Sequence, residues 1–357
     1  MVKPPSACMP TDSGTCNLAA MLKLSVLDQS PARQGVTPRD ALLETIELAR
    51  HVDALGYCRY WLAEHHSSPG LAGTAPEIMV ARVASETSHI RVGSGGVMLS
   101  HYSSLKVAEQ FRMLEALYPG RIDLGIGRAP GSDQLTAIAL QHGPGALGIE
   151  HFPNQIADLL GFLDNKMPAD HPFARIRVMP AGETSPEVWL LGSSDQSAIF
   201  AAYFGCAFSF AHFINDEGGP EIMDAYRQRF RPSERLAKPQ GSIGVFVVCA
   251  DTEAEARRLA ASRDLWRLRQ RQGILAPFPP PEDALAYPYN PAELRLVEYH
   301  RQRQVVGEPE PVKQQLSAFA EAYGVDEIVV LTICHDFAAR KRSYALLAEA
   351  FGLAKPA

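Results

Sequence analysis

The chain has 357 residues, 46% of them hydrophobic, and a formal net charge of −6. That is enough apolar material for a sizeable core, in one large domain or two ordinary ones. Charges of both signs are interspersed, without the basic stripe that nucleic acid needs, and no apolar stretch reaches the ~20 residues of a membrane span.

Residues 1–20 are rich in Ser, Thr, Pro, Gly and Cys. They lack the basic start and apolar centre of a secretory signal. They read as a flexible extension ahead of a single domain over 21–357, with Met21 as an alternative start. None of the six cysteines forms C-x-x-C. Cys58, Cys206, Cys249 and Cys334 fall in or beside predicted strands, as small buried apolar residues do. Cys8 and Cys16 read as unpaired thiols in a polar tail. This usage fits a reducing cytoplasm.

The first predicted strand, residues 22–27, ends in Asp28-Gln29-Ser30-Pro31. Thr37-Pro38-Arg39-Asp40 supplies a cap, a first-turn proline and an acid three residues on, which starts a helix; Gly56 ends it. A second strand over 59–63 stops at Glu64-His65-His66. Thr74-Ala75-Pro76-Glu77 starts a helix that reaches about residue 87. The third strand, 90–99, contains Ser94-Gly95-Gly96, and a helix over 105–117 is stopped by Pro119-Gly120. The fourth strand, 121–127, runs into Arg128.

Residues 129–150 show no period and read as a long loop, followed by a helix over 152–163. The fifth strand, 187–191, leads at once into Gly192-Ser193-Ser194-Asp195-Gln196-Ser197 and a helix to 204. The sixth, 207–210, ends near His212. A helix over 219–230, a seventh strand over 242–249 and a charged helix over 252–271 follow. Residues 273–291, rich in Pro and Tyr, predict no regular structure and are long enough for a lid. A helix over 291–304, an eighth strand over 327–333 and a last helix over 337–351 complete the pattern. Eight strands alternating with helices predict an α/β fold, a (β/α)8 TIM barrel with insertions after strands 4 and 7. A doubly wound open sheet is the alternative, weakened because no G-x-G-x-x-G follows the first strand.

In such a barrel the site lies at the carboxyl ends of the strands. Glu64, His65, His66, Tyr102, Arg128, the serine cluster, His212, His335 and Asp336 stand there. Adjacent strand residues point to opposite sides, so His65 and His66 do not simply chelate one ion. A histidine in acid–base work or in contact with substrate is favoured over a metal. The serine turn opens a helix, whose free N–H groups, dipole and hydroxyls make an anion site; a serine there also serves as a plain N-cap. Arg128, one strand earlier, tips the balance towards phosphate. Ser94-Gly95-Gly96 either lets a flat ring lie against the strand or answers crowding inside the barrel. Asp123 is expected to point inward as a buried, paired carboxylate, with no partner named by the sequence.

Five segments together resemble the bacterial luciferase-like, flavin-dependent monooxygenases, in their single-chain oxidoreductase branch. They are Asp28-Gln29-Ser30-Pro31, Trp61-Leu62-Ala63-Glu64-His65-His66, residues 91–99, residues 120–131 and Leu191-Gly192-Ser193-Ser194. The likeness covers nearly all of residues 22–353. It implies a barrel that binds reduced FMN delivered by a separate flavin reductase, takes up O2 as a C4a-hydroperoxide and oxygenates a small-molecule substrate, with natural-product biosynthesis as one setting. It also implies a homodimer. It puts the catalytic histidine at His65, the flavin ring against Gly95-Gly96, and the phosphate at Arg128, Ser194 and Ser197, with Ser94 and Ser193 beside the cofactor. Glu64, His66, Tyr102 and His212 are the candidates for the substrate pocket.

The chain departs from the family pattern at three places. The usual Leu-Pro-Asn-His-Ser-Pro reads Leu99-Ser100-His101-Tyr102-Ser103-Ser104, the acid found at the fifth strand end in luciferase is Ser193, and the 141–150 loop is rich in glycine rather than basic. All lie near the expected substrate mouth. Two other readings keep the barrel: a hydride-transfer dehydrogenase using the deazaflavin F420, and a non-catalytic flavin-binding subunit. The presence of His65 and the phosphate cluster argues against the second.

Overall fold

The computed structural model describes residues 22–128, 133–141 and 149–354. The N-terminal extension, Met21, Cys8, Cys16 and most of the glycine-rich 141–150 loop lie outside the described residues. The first half alternates β1 (Lys23–Asp28), α1 (Pro38–Leu55), β2 (Arg59–Leu62), α2 (Pro76–Ala84), β3 (Arg91–Met98), α3 (Ser104–Leu117) and β4 (Ile122–Gly127). Then come α4 (Gln134–Leu140), α5 (Phe152–Asp164), β5 (Glu187–Gly192), α6 (Asp195–Phe204), β6 (Ala207–Phe210), α7 (Gly219–Arg229) and β7 (Gly241–Cys249). The chain ends with α8 (Glu253–Arg271), α9 (Pro281–Ala286), α10 (Pro291–Arg301), β8 (Gln304–Gly307), α11 (Pro309–Tyr323), β9 (Glu327–Leu331) and α12 (Phe337–Phe351).

Local chemistry explains the boundaries. Thr37 and Asp40 form a reciprocal capping box at the start of α1, and Gly56 ends it at φ 88°, a conformation that favours glycine. Asp133 caps α4 by accepting from the Thr136 N–H. This helix falls in the stretch expected to be a loop. Its apolar Leu135 and Ile138 are exposed, so it carries no buried stripe and its cap is its only sequence signal. Helix α9 likewise lies inside the stretch expected to lack structure. The helix expected over 291–304 ends at Arg301, and β8 and α11 follow where no element was expected. Glu308-Pro309 and the left-handed Gly324 bound α11, but β8 has only four residues directly after a helical pattern.

Strands β1 to β6 pair in sequence order, all parallel, and β9 joins β1 to β7 while β7 pairs with β6. The ring is thereby closed with eight strands, which excludes the open sheet. β8 pairs with Phe246–Cys249, beyond the point where β6 leaves β7 at Ile243, and so extends one edge of β7 outside the ring. The segment between β4 and β5 holds α4 and α5; that between β7 and β9 holds α8 to α11.

Side chains alternate across the barrel wall. Leu24, Val26, Tyr60, Leu62 and Val92 pack outward under the helices. Leu27, Trp61, Trp189, Phe246, Val329 and Leu331 form a second buried cluster, with Trp61 edge-to-face on Trp189 at 5.1 Å. At the strand starts Arg59 bonds Asp123 at 2.8 Å, Glu187 at 2.9 Å and Glu327 at 3.0 Å. Asp123 also accepts from Arg91 Nε at 2.8 Å and Trp61 Nε1 at 2.9 Å. Asp123 is thus inward, buried and paired, and this ionic plug seals the amino end of the barrel.

Candidate active site

At the carboxyl ends of the strands lies a cavity of about 420 Å³, within the range of small-molecule sites. Leu27, Trp61, Leu191, Phe213, Ile214 and Val329 give it apolar walls. Of the residues singled out in the sequence, Glu64, His65, Gly95, Gly96, Arg128, Ser193, Ser194 and Ser197 all line it. Ser94, His66, Tyr102 and His212 do not.

Crowding inside the barrel, one of the two readings weighed for the β3 glycines, is present at Gly95 and Gly96. They face the cavity, and no side chain fits there. A Cβ on Gly95 would stand 2.6 Å from Leu27 Cδ1 and 2.9 Å from Trp61 Cβ; one on Gly96 would stand 2.8 Å from the Gly125 carbonyl oxygen. The Gly95–Gly96 peptide is cis, and the register with β4 slips between Gly95 and Val97, so Gly96 is the extra residue of a bulge. Ser94 is fully buried, and its hydroxyl donates to the Gly125 carbonyl at 2.8 Å. It ties β3 to β4 rather than facing a ligand.

Across the cavity, Ser194 is the N-cap residue of α6, yet its hydroxyl makes no capping hydrogen bond. The plain capping role is therefore not filled, and the hydroxyl is left for something else. Ser197 lies buried in the first turn. Arg128 makes no hydrogen bond or ion pair with any described residue. An unpaired guanidinium and free hydroxyls at a helix N-terminus fit an anion such as phosphate. The nearby glycine wall has no room for a Cβ and presents bare backbone to the cavity.

Glu64 is buried and organises the end of β2. One carboxylate oxygen accepts from the Tyr102 hydroxyl at 2.7 Å and lies 2.8 Å from His66 Nε2; the other accepts from the Met98 N–H at 3.0 Å. His66 and Tyr102 thus hold Glu64 and fasten β2 to the end of β3. His65, three residues past the end of β2, also lines the cavity. Its backbone N–H donates to Gly73 at 2.8 Å. Its Nδ1 is shut from solvent without a partner, so exchange with the cavity falls to Nε2. Burial, with His66 adding to it, pushes its pKa down to about 4, and the ring is neutral near pH 7.

Other residues proposed from the sequence have work elsewhere. His212 Nδ1 lies 2.8 Å from the Tyr323 hydroxyl, with its ring against Phe319. His335 Nε2 lies 3.2 Å from the Gln34 carbonyl oxygen, and Asp336 caps α12. No residue of 273–291 lines the cavity. Phe278 stacks on Trp266 at 4.2 Å and exchanges backbone hydrogen bonds with Ala32 and Gln34, which pins the expected lid. Trp61, Phe213 and Ile214 were not among the candidates. Trp61 had a signal, its inward position on β2; Phe213 and Ile214 follow β6, where no period applies.

Residues 22–327 match the family model described as luciferase-like monooxygenase. The chain belongs to that family. The uncharacterized protein YceB of Bacillus subtilis (strain 168) is 48% identical over 93% of this chain and 100% of its own length. N-acetyl-S-alkylcysteine monooxygenase of the same organism is 37% identical over 94% of this chain and 100% of its own. Among solved structures, apo-MsnO8 superposes with a TM-score of 0.86 at 43% identity, covering 94% of this chain and all of that one. As a luciferase-like monooxygenase the protein is a flavin-dependent oxidoreductase.

Proposed function

We propose that this luciferase-like protein binds FMN in the cavity, takes it reduced from a separate flavin reductase, and uses O2 to oxygenate a small organic substrate. One observation carries the reading: a single cavity brings Arg128, Ser194 and Ser197 together with the Gly95–Gly96 wall and His65. A reductase partner is further supported by a more distant relative, the oxygenase component of the flavin-dependent trigonelline monooxygenase of Acinetobacter baylyi, 24% identical over 80% of this chain.

Bound reduced FMN would supply the electrons that activate O2. The chain's own residues do the rest. Arg128 and the α6 N-terminus hold the phosphate, and the β3 glycines let the ring approach the backbone. Leu27, Leu191, Phe213 and Ile214 exclude water. His65, neutral and open through Nε2, holds or moves a proton next to the ring. Exposed Ile78 on α2 with Met113 and Leu117 on α3 support a homodimer through these neighbouring helices, in a cytoplasmic enzyme.

The test is stopped-flow reoxidation of reduced FMN by O2, with and without the chain. The reading expects the chain to slow reoxidation severalfold and His65→Asn to change that rate. Reoxidation indifferent to the chain contradicts it, and anaerobic turnover of reduced F420 would replace it with hydride transfer.

A further inference from the structure

Helix α8 carries arginines where a packed helix would carry aliphatic residues. Arg263, Arg267 and Arg271 are spaced one turn apart and share one face. Their exposure rises along the helix: Arg263 is 4% exposed, Arg267 is half-buried and Arg271 is exposed. The inner end of this ladder reaches the second buried cluster, where the Arg263 guanidinium lies 3.8 Å from the centre of the Phe246 ring. None of the three has an ion-pair partner among the described residues.

The carboxylates nearby are already taken. Asp264 bonds Arg301 at 2.7 Å and Asp216 bonds Arg303 at 2.5 Å. His300, on α10 and only 3% exposed, has neither ring nitrogen hydrogen-bonded, and Arg263 Nη1 is also buried without a partner. Burial and then Arg267, Arg271, Arg303 and Arg263 push the His300 pKa down to about 4, which places the ring among four cations, of which Arg303 is paired with Asp216. Burial and Arg267 lower that of Arg263 to about 9. Orphaned buried donors are rare and costly. Water can hydrogen-bond such atoms but cannot neutralise the repulsion; an anion does both. On a chain of net charge −6, this is a local positive field.

None of Arg263, Arg267, His300 and Arg303 lines the cavity itself, but the cluster reaches its wall through one contact. Arg303 Nη1 donates to the Ile214 carbonyl at 3.4 Å, and Ile214 is part of the cavity wall. Gly244, two residues before Phe246 on β7, lines the cavity as well.

We propose that Arg263 and Arg267, with His300 and Arg303, form a second anion site at the cavity rim, which takes the carboxylate of a substrate whose apolar body enters between Phe213 and Ile214. This rests on the cavity being the reaction site but not on which flavin it holds. The substrate class is then a small organic acid with a hydrophobic body. Arg271 extends the ladder to solvent and draws the acid in.

Calorimetric titration of the full chain with hexanoate and with hexanamide, before and after loading with FMN, tests this. The site predicts at least tenfold tighter binding of hexanoate in both states. Arg263→Met and Arg267→Met each reduce that preference at least fivefold while FMN binding stays unchanged, and Arg263→Lys retains part of it. Arg263→Met also raises the thermal midpoint, because it removes an unpartnered buried cation. Equal binding of the two probes overturns the proposal. So does a preference that vanishes on FMN loading, which would belong to the phosphate site, or one that survives in Arg267→Met. If FMN fails to bind but the preference is lost in both variants, the acid site stands and the flavin assignment falls.

Discussion

The two ends of the barrel are built from similar residues and reach opposite outcomes. At the amino end Arg59, Arg91, Asp123, Glu187 and Glu327 pair among themselves. At the carboxyl end Arg128 has no partner among the described residues, Ser194 leaves its helix uncapped and His65 Nδ1 is orphaned. Charge satisfied within the chain stabilises the fold, whereas charge left open is available to a ligand. Trp61 links the two, with its indole N–H on Asp123 and its ring in the cavity wall. Variants at the two ends should therefore separate stability from binding and catalysis.

The largest effect is expected at the open end. His65→Asn should lower the rate of substrate oxygenation by about 10²–10⁴-fold, the usual worth of a positioned acid–base group, with little change in urea midpoint. At the closed end Arg59→Met should cost about 3–5 kcal/mol by stranding buried carboxylates, read by urea unfolding, while the remaining folded protein binds FMN normally. A smaller effect separates two serines. Ser194→Ala should weaken FMN binding yet cost less stability than the ~1 kcal/mol of a working cap, because its hydroxyl caps nothing.

The last effect is in pH. The folded pKa of His65, about 4, lies below the ordinary value near 6.5, so the unfolded chain takes up the proton first as pH falls. The stability is fully present above pH ~6.5 and is lost as pH drops towards ~4. His65→Asn should flatten that part of the stability–pH curve. An unchanged slope would mean that the ring is solvated in the folded state.

The contrast between the ends also explains what the sequence made legible. Residues that end strands and leave their chemistry unspent, such as His65, Arg128 and Ser194, are visible because their type conflicts with the apolar run before them. The alternation of β4 was enough to turn Asp123 inward, but its partners come from β2 and β3 and no spacing announces them. His66 and Tyr102 looked like pocket residues until the structure gave Glu64 to both. Arg263 and His300 read as parts of ordinary helices, the first of them charged, since a helix pattern does not say which cation is buried. The short strand β8 was lost for a different reason, its four residues following α10 so closely that the helical pattern ran into them.

The measurement that bears most directly on the open end is equilibrium binding of FMN and riboflavin, which differ only by the phosphate, to the wild-type chain and Arg128→Met. A charged hydrogen-bonded contact is worth about 1.5–3 kcal/mol, so the wild type should prefer FMN by about 10- to 100-fold. Arg128→Met should lose most of that preference and leave riboflavin binding unchanged. Equal affinity of the wild type for both flavins, or a preference undiminished in Arg128→Met, would contradict the assignment of this end of the barrel to the cofactor's phosphate.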